Sequence, residues 1–381
     1  MLIARAHLPE GRLGAGLARL EAECARIMAA FGAAGATSVE PAALQPAEVL
    51  LDLYGEDIRA RAYVTHDPVE GEMMLRPDFT VPVVRLHMAH GAEPARYAYC
   101  GPVWRAQEPG SARPSEYLQA GFELFGGEEA AEADAEVFAL IAGVLGEAAP
   151  EVATGDMGVL AAVVDGLTTS EARRAALRRH LWRPARFRRL LERFGARHEE
   201  ERAARAELLA AAAAEGVEAL IARAGEMIGL REGGEIAGRL RRLAAEAATP
   251  PLSPGEVALL EEVLAVAAPM GEALSHLMGL AGEAPGLGSA CARLEARMEA
   301  LARRGIAAEH LAFATSFGRT TLEYYDGFVF GFAAPGRPDL PPIGSGGRYD
   351  RMTSVLGGGR GIPAVGAIIR PEALIAAGGG A

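Results

Sequence analysis

Lysine is absent from this sequence, so every basic side chain other than histidine is an arginine. We attribute this absence to compositional bias of the source genome rather than to function. The formal net charge is -12 at pH 7. It argues against a dedicated nucleic-acid surface, because binding to phosphates is driven by Lys and Arg. A local basic groove is still compatible with this balance.

Cysteines and long apolar runs are also scarce. The three cysteines, Cys24, Cys100 and Cys291, are odd in number, widely spaced and without a CxxC or metal pattern, which favours a reduced, cytosolic protein. The N-terminus lacks the apolar segment of a signal peptide. No run of about 18 apolar residues is present, so none is long enough to span a membrane. We expect a cytoplasmic protein that binds no metal and no cofactor.

The most informative stretch runs from Arg105 to Gly126 and reads as strand, polar loop and strand. Its second strand alternates strictly, so successive side chains point to opposite faces of a sheet. One face is apolar. The other carries Gln119 and Glu123 with Gly121 between them, and an uncovered glycine leaves room for a ligand. A half-solvated antiparallel strand is the alternative interpretation.

Three further stretches place polar groups beside glycine or proline. Residues 73–87 read as strand, polar turn and helix, which suits either a self-capping helix start or a ligand site. Residues 321–332 repeat the pattern of polar and aromatic groups on one strand face. Residues 343–351, IGSGGRYDR, match neither GxGxxG nor the phosphate loop. They suit either close approach to a ligand or a tight turn with a structural Asp.

The order of these elements predicts an α+β fold. Two strand-rich blocks, 1–156 and 306–381, flank a largely helical insertion at 157–305. Neither block completes a covered sheet alone, so we expect one antiparallel sheet built from both, with helices packed against it. Residues 171–205 are rich in arginine. Interleaved glutamates favour a solvated helix face there over a basic docking surface.

Several motifs occur in the order found in the histidyl-tRNA synthetase family, which the strand-rich blocks resemble. MLRPDFT at 74–80 is similar to the family's RPEGT segment, and residues 101–126 resemble class II motif 2. LEYYDGFVF at 322–330 is similar to the family's LDYY histidine motif, and GGRYD at 346–350 is identical to its second histidine motif. VEP at 39–41 is similar to motif 1, which lies at the dimer interface in that family. The resemblance implies a class II synthetase-like antiparallel sheet flanked by helices.

The same resemblance implies a histidine-binding pocket. Carried over onto this sequence, its residues are Asp78, Thr80, Arg105, Gln119, Glu123, Tyr325 and Tyr349. Asp78 and Glu123 can pair with an α-amine and an imidazole N–H, and Arg105 can bind a carboxylate by charge-assisted hydrogen bonds. The tyrosines offer flat walls with a hydroxyl group.

Departures from the synthetase pattern concern ATP and tRNA. Ala373 stands where motif 3 carries its ATP-binding arginine. Thr320 stands where a catalytic arginine precedes LDYY, with Arg319 one place away, and Gln107 replaces an acidic residue of the motif 2 loop. Phosphoryl chemistry depends on positioned positive charge, so we expect no catalysis. The sequence also stops soon after motif 3, which predicts that no anticodon-binding domain and no tRNA partner exist.

This combination resembles the regulatory-subunit family of ATP phosphoribosyltransferase, a synthetase paralogue in histidine biosynthesis. The resemblance implies a noncatalytic chain that self-associates as a dimer within a hetero-oligomer with the short-form ATP phosphoribosyltransferase catalytic subunit. It also implies that the chain is required for the first pathway step and for feedback regulation, with histidine as the effector. The alternatives are a truncated synthetase-like enzyme that forms an aminoacyl-adenylate and a dimeric scaffold whose pocket is vestigial.

Overall fold

The computed structural model describes residues 11–54, 61–108, 111, 113–127, 129–148, 150–195, 199–225, 232–319 and 324–378. The strands of this part are β1 Thr37–Ser38, β2 Leu44–Pro46, β3 Val64–Asp67, β4 Gly71–Leu75, β5 Ala95–Trp104, β6 Glu116–Phe125, β7 Glu151–Asp156, β8 Ala267–Pro269, β9 Ala312–Ala314, β10 Phe328–Ala333, β11 Gly344–Arg348 and β12 Ala364–Ile369. The helices are α1 Gly14–Ala33, α2 Ala47–Tyr54, α3 Thr80–His90, α4 Ala130–Leu145, α5 Met157–Asp165, α6 Glu171–Arg179, α7 Pro184–Phe194, α8 Glu199–Glu215, α9 Val217–Arg223, α10 Gly233–Ala248, α11 Pro254–Ala265, α12 Met270–Leu280, α13 Leu287–Arg303, α14 Asp350–Leu356 and α15 Pro371–Ala376.

A sheet of nine described strands forms the centre of the molecule, in the order β1-β5-β6-β12-β11-β10-β7-β9-β8. The pairs β1–β5 and β7–β9 are parallel, and the other neighbours are antiparallel. Strand β6 pairs with β12, with Glu123 opposite Gly366, so the two strand-rich blocks share one sheet. The predicted α+β class is therefore confirmed.

Strand β6 lies in the interior of the sheet, and both of its faces are covered. Phe122 on the apolar face lies 5.7 Å from Phe31 of α1, measured between ring centroids. Gln119 and Glu123 on the opposite face are 1% and 0% exposed. The half-solvated strand considered from the sequence is therefore wrong, and the polar groups of β6 need partners inside the protein.

The predicted strand over 321–332 is shorter than expected. Its regular part, β10, begins at Phe328, and Tyr325 lies in the segment that precedes it. Thr320 and Glu323 lie outside the described residues.

The prediction of strand, polar turn and helix over 73–87 is confirmed by β4, residues 76–79 and α3. A small sheet of order β2-β4-β3 accompanies that turn, and it was not anticipated.

The segment between the two blocks is mainly helical. Asp156 caps α5 by accepting a hydrogen bond from the backbone N–H of Gly158 at 2.7 Å, and Ser253 and Glu256 form a capping box at the start of α11. Strand β8 joins the central sheet, and α13 packs against α4 and α5. The division at 157–305 stays a prediction. Among the described helices, none combines the length and the apolar character that crossing a bilayer would require.

A buried ion network ties these parts together. Arg297 of α13 is 4% exposed and donates to Asp134 of α4 and Asp156 of β7, at 2.8 Å in each case. Arg348 of β11 binds the other oxygen of Asp134 at 2.7 Å. Buried charges need such partners, because an unpaired charge away from water is very costly. The network therefore joins α4, β7, α13 and β11.

Replacing Arg297 with Met should destabilise the fold strongly. The change leaves Asp134 and Asp156 without their shared guanidinium, and breaking a buried pair costs about 3–5 kcal/mol. Urea denaturation of the purified protein measures this loss. Arg303→Met on the same helix is the matched control, since Arg303 pairs with Glu132 at the exposed surface, and it should leave stability nearly unchanged. Equal stabilities of the two variants would contradict the role given to the network.

Candidate functional site

The site is built around the carboxylate of Glu123. One oxygen accepts hydrogen bonds from Thr80 Oγ1 at 2.9 Å and from the Tyr99 hydroxyl at 2.8 Å. The other accepts a short hydrogen bond from the Tyr349 hydroxyl. Helix α3, strand β5 and the start of α14 thus meet at one side chain of β6. A carboxylate has about four acceptor positions, so three bound hydroxyls leave one for a ligand donor.

Glycines on the same face of the sheet make room for this cluster. A Cβ at Gly366 would overlap the Glu123 carboxylate, and one at Gly121 would overlap the Tyr99 ring. A Cβ at Gly347 would come within 2.7 Å of the Tyr325 ring. The GGRYD segment and the Gln-x-Gly-x-Glu pattern of β6 therefore serve the same purpose, which is space for buried aromatic and acidic groups.

Burial dominates the electrostatics of Glu123. It raises the pKa of this carboxyl to about 7, although the hydrogen bonds from Tyr349, Tyr99 and Thr80 act in the opposite direction. The nearby charge of Asp78 adds to the increase. The same burial raises the pKa of Tyr99 and Tyr349 far above the ordinary tyrosine value. Glu123 therefore changes its protonation near neutral pH, while its tyrosine donors keep their protons.

The turn before α3 brings Asp78 and Arg105 together. Asp78 is buried, and its carboxylate accepts a long hydrogen bond of 3.4 Å from the backbone N–H of Val81. Arg105 donates from Nε to the carbonyl of Pro77 at 2.8 Å, so it is anchored to the turn that carries Asp78. This turn therefore gathers an anionic and a cationic residue, which are the two kinds of partner that the zwitterionic end of an amino acid requires.

Gln119 has an unusual environment for a buried amide. The residue is 1% exposed, and within the described part of the chain its Oε1 has no hydrogen-bond partner. It lies two positions from Gly121 and four from Glu123, on the same face of β6. Since buried polar atoms are nearly always paired, this acceptor is suited to an N–H donor of a bound ligand.

Two tyrosines complete the wall of the site. Tyr325 and Tyr349 both pack edge-on against Tyr324, at 4.8 and 6.0 Å between ring centroids. The indole N–H of Trp182, in the connection between α6 and α7, donates to the carbonyl of Tyr325 at 2.9 Å. The intervening helical segment is therefore in direct contact with the backbone of the site.

Of the residues predicted from the sequence, Thr80 and Tyr349 bond to Glu123, and Asp78 and Tyr325 lie within electrostatic reach of it. Gln119 lies on the same strand face, and Arg105 is anchored at the turn of Asp78. That these residues bind a ligand stays a prediction.

The two arginines nearest the positions of the missing ones point in different directions. Arg319 is 7% exposed, donates to the carbonyl of Leu181 at 2.7 Å and lies 5.0 Å from the Phe187 ring centroid. It therefore faces the helical segment. Arg370 is half-buried at the start of α15 and donates to the carbonyl of Pro342 at 2.6 Å. Burial lowers the pKa of Arg370, and the neighbouring charge of Arg105 lowers it further.

Sequence reasoning missed two residues at the site, Tyr99 and Trp182, although each donates a hydrogen bond to a predicted site residue. The register of β5 and β6 places Tyr99 opposite Gly121, so a paired reading of the two strands would have found it. Nothing local distinguishes Trp182, which arrives from a distant part of the chain.

The polar neighbours of Tyr349 in GGRYD are structural. Arg348 binds Asp134, as described above, and also Asp350 at 2.9 Å. Asp350 in turn accepts a hydrogen bond from the backbone N–H of Ala364 at 2.8 Å. These contacts hold β11 against β12 and orient Tyr349.

No group of three or more potential metal-binding side chains occurs among the residues that the structure describes.

Comparison with a family model and with solved structures identifies the fold family of this chain. The family described as Histidyl-tRNA synthetase matches residues 12–252 and 187–374. A structure of an ATP phosphoribosyltransferase regulatory subunit/histidyl-tRNA synthetase from Bacillus halodurans C superposes with a TM-score of 0.68 at 23% identity, covering 98% of this chain and 82% of that one. A Histidine--tRNA ligase subunit from Alicyclobacillus acidocaldarius gives 0.58 at 22% identity, covering 97% and 96%. The fold is that of the histidyl-tRNA synthetases.

Relatives of similar length identify the particular family within this fold. An ATP phosphoribosyltransferase regulatory subunit of Brucella anthropi is 36% identical over 86% of this chain and 89% of its own length. The protein of the same name from Allorhizobium ampelinum is 35% identical over 88% and 92%. The chain therefore belongs to the family of ATP phosphoribosyltransferase regulatory subunits, as the sequence motifs predicted.

The protonation of Glu123 should make stability depend on pH. Its pKa in the folded protein lies above the ordinary value of 4.5, so the folded state holds the proton more tightly than the unfolded chain. This stabilisation is fully present below pH 4.5 and is lost as the pH rises through 7. At about 1.4 kcal/mol per pKa unit, the unfolding free energy of the wild type should fall by roughly 3 kcal/mol relative to Glu123→Gln between pH 4.5 and about 8.

Denaturant unfolding at a series of pH values measures this difference. Glu132→Gln is the control, because the pKa of the exposed Glu132 is lowered by Arg303 and Arg304, so no such fall relative to the wild type is expected. A difference between wild type and Glu123→Gln that does not change with pH would show that Glu123 titrates as an ordinary carboxyl.

Proposed function

We propose that this chain is the noncatalytic regulatory subunit that activates a short-form ATP phosphoribosyltransferase catalytic subunit, and that histidine bound at the Glu123 site regulates the complex. The catalytic partner condenses ATP with phosphoribosyl pyrophosphate in the first step of histidine biosynthesis. Membership of the regulatory-subunit family supports a partner of this kind. We also propose a cytoplasmic hetero-oligomer that contains dimers of this chain.

The chemistry of the site supports histidine as the effector. An imidazole N–H can donate to the remaining acceptor position of Glu123 or to the unpaired oxygen of Gln119. The α-amine suits Asp78, and the carboxylate suits the guanidinium of Arg105. Tyr325 and Tyr349 provide flat walls for the ring. The observation that carries the proposal is the buried Gln119 oxygen, which lies on the same face as Glu123 and has no hydrogen-bond partner among the residues that the structure describes.

The arginines support a noncatalytic role. Ala373 is 6% exposed in α15 and offers no charge, and Arg319 is directed toward Phe187 rather than toward Glu123. Arg370 lies within electrostatic reach of Arg105 and Tyr325, and it already donates a hydrogen bond to the carbonyl of Pro342. Stabilising a triphosphate in the transition state needs several positioned cations, so we propose that the site binds an amino acid without activating it.

Regulation requires that histidine and the partner favour different states of the assembly. Such a coupling free energy typically amounts to about 1–3 kcal/mol and acts equally in both directions. The contact between Trp182 and Tyr325 gives a physical route by which a ligand at the site shifts the helical segment. We propose that this shift is what the catalytic subunit senses.

Gln119→Met should separate binding from folding. Met has a similar volume, and because Gln119 Oε1 has no partner in the described structure, the fold loses no hydrogen bond there. A ligand N–H loses its acceptor, so we expect the Kd for histidine to rise between about 5-fold and 150-fold, as the loss of about 1–3 kcal/mol implies. Histidine inhibition of the reconstituted complex should weaken in parallel. Calorimetric titration and the inhibition assay measure both effects.

Gln45→Met provides the opposite control. Gln45 is buried but fully engaged, because it donates to the carbonyl of Ala42 at 2.8 Å and accepts from Arg85 at 3.0 Å. This variant should lose stability and keep its histidine affinity. If Gln119→Met binds histidine as tightly as the wild type does, the pocket is assigned to the wrong ligand or the wrong residues.

Two assays distinguish the regulatory subunit from an adenylate-forming enzyme. The chain should co-purify with a short-form catalytic subunit and raise its phosphoribosyltransferase activity well above that of the catalytic subunit alone. With histidine and ATP, it should catalyse no exchange of pyrophosphate into ATP. Sustained exchange that disappears in Arg370→Ala would instead identify Arg370 as an ATP-binding residue and overturn the noncatalytic assignment.

A further inference from the structure

A second cavity lies in the helical segment, away from the Glu123 site. It has a volume of about 710 Å³ and is bounded by residues of α6, α7 and α10 and their flanking turns. Its charged lining residues are Arg173, Arg193, Arg239, Arg242 and Glu246. The lining therefore carries four guanidinium groups and one carboxylate. The protein as a whole is strongly acidic, with a net charge of -12, so this local excess of positive charge needs an explanation.

Two of these arginines are engaged in holding the helices together. Arg173 is 6% exposed and donates to the carbonyls of Glu246, Thr249 and Pro250 at 3.0, 3.2 and 2.7 Å. It therefore satisfies the end of α10. Arg193 binds the carboxylate of Glu246 at 2.5 Å, and this pair neutralises the acidic group of the lining. The Nε of Arg193 is buried and, in the described residues, without a hydrogen-bond partner.

The other two arginines of the lining, unlike Arg173 and Arg193, do not hold the described helices together. Arg239 and Arg242 are exposed on α10, and within the described ranges neither makes a hydrogen bond or an ion pair. They are three residues apart, so they lie on the same face of the helix at neighbouring positions. Two like charges at this spacing repel each other. An anion that bridges them would remove the repulsion and engage both guanidinium groups.

The cavity also offers apolar surface between the charged groups. Leu190, Phe194 and Leu243 are among its lining residues, and the Arg173 guanidinium lies 5.0 Å from the Phe194 ring centroid. A volume of this size falls in the range of small-molecule sites, about 300–1,000 Å³. Guanidinium groups bind phosphate through paired hydrogen bonds, and they do so better than other cationic side chains.

We propose that this cavity binds an organic phosphate that carries at least two phosphate groups. The phosphates would bridge Arg239 and Arg242, with the unpaired Nε of Arg193 as a further donor. The organic part would lie against Leu190, Phe194 and Leu243. The site is separate from the Glu123 site, and the proposal does not depend on the function assigned there.

Calorimetric titration of the full-length protein with ATP as the probe tests this assignment. The double variant Arg239→Ala, Arg242→Ala should weaken ATP binding by at least roughly tenfold, because it removes two charge-assisted contacts. Arg241→Ala is the matched control on the same helix, since Arg241 pairs with Glu218 at 2.6 Å and does not line the cavity. It should bind ATP as the wild type does. Gln119→Met should also leave ATP binding unchanged.

Three outcomes of the ATP titrations would overturn the proposal. They are no ATP binding by the wild type, equal affinity in the double variant, and loss of ATP binding in Gln119→Met with retention in the double variant. Inorganic tripolyphosphate is the second probe, and it should bind more weakly than ATP. Equal binding would mean that the apolar surface contributes nothing, and the assignment to an organic ligand would fail. The double variant Arg239→Gln, Arg242→Gln, checked by thermal unfolding, repeats the test with a smaller change in side-chain bulk than alanine causes.

Discussion

The buried pairing of Arg297 with Asp134 and Asp156 is the constraint on which the rest of the molecule depends. These residues come from the helical segment, the first block and the strand at their junction, and Arg348 adds the second block. Charges removed from water accept only partners in good geometry. The network therefore fixes where α13 lies on the sheet and how β7 and β11 are placed, and with them the segment that carries Tyr325 and Tyr349.

The site follows from this fixed frame. Glycines at positions 121, 347 and 366 carry no side chain on this face of the sheet. Tyr99, Tyr325 and Glu123 occupy the space that Cβ atoms at these positions would fill. A carboxylate held by three hydroxyl groups is stable only while its donors keep their protons, and burial ensures this by raising the pKa of the tyrosines. The result is a buried polar face on which hydroxyl groups from three different elements hold one carboxyl group.

Much of this could be read from the sequence, because the relevant signals are local. The alternation of residues 117–125 predicts β6, and the motifs around Asp78 and Tyr349 predict which side chains meet. The environment of each group could not be predicted. Whether Glu123 faces solvent or three hydroxyls depends on the register of β5 against β6. The direction of Arg319 depends on Leu181 and Phe187, which are more than a hundred residues away. Such long-range contacts decide which groups are buried, and they produce no periodic pattern in the sequence from which they could be predicted.

The hydrogen bond between Trp182 and the carbonyl of Tyr325 has an optical consequence. The chain contains two tryptophans, and the other, Trp104, ends β5 next to Arg105. The Trp104 ring lies 5.9 Å from the Arg76 guanidinium, whereas Trp182 contacts the backbone of Tyr325. The intrinsic fluorescence of Trp182 in the unlabelled protein therefore reports on the segment that carries Tyr325, where the sheet meets the helical segment.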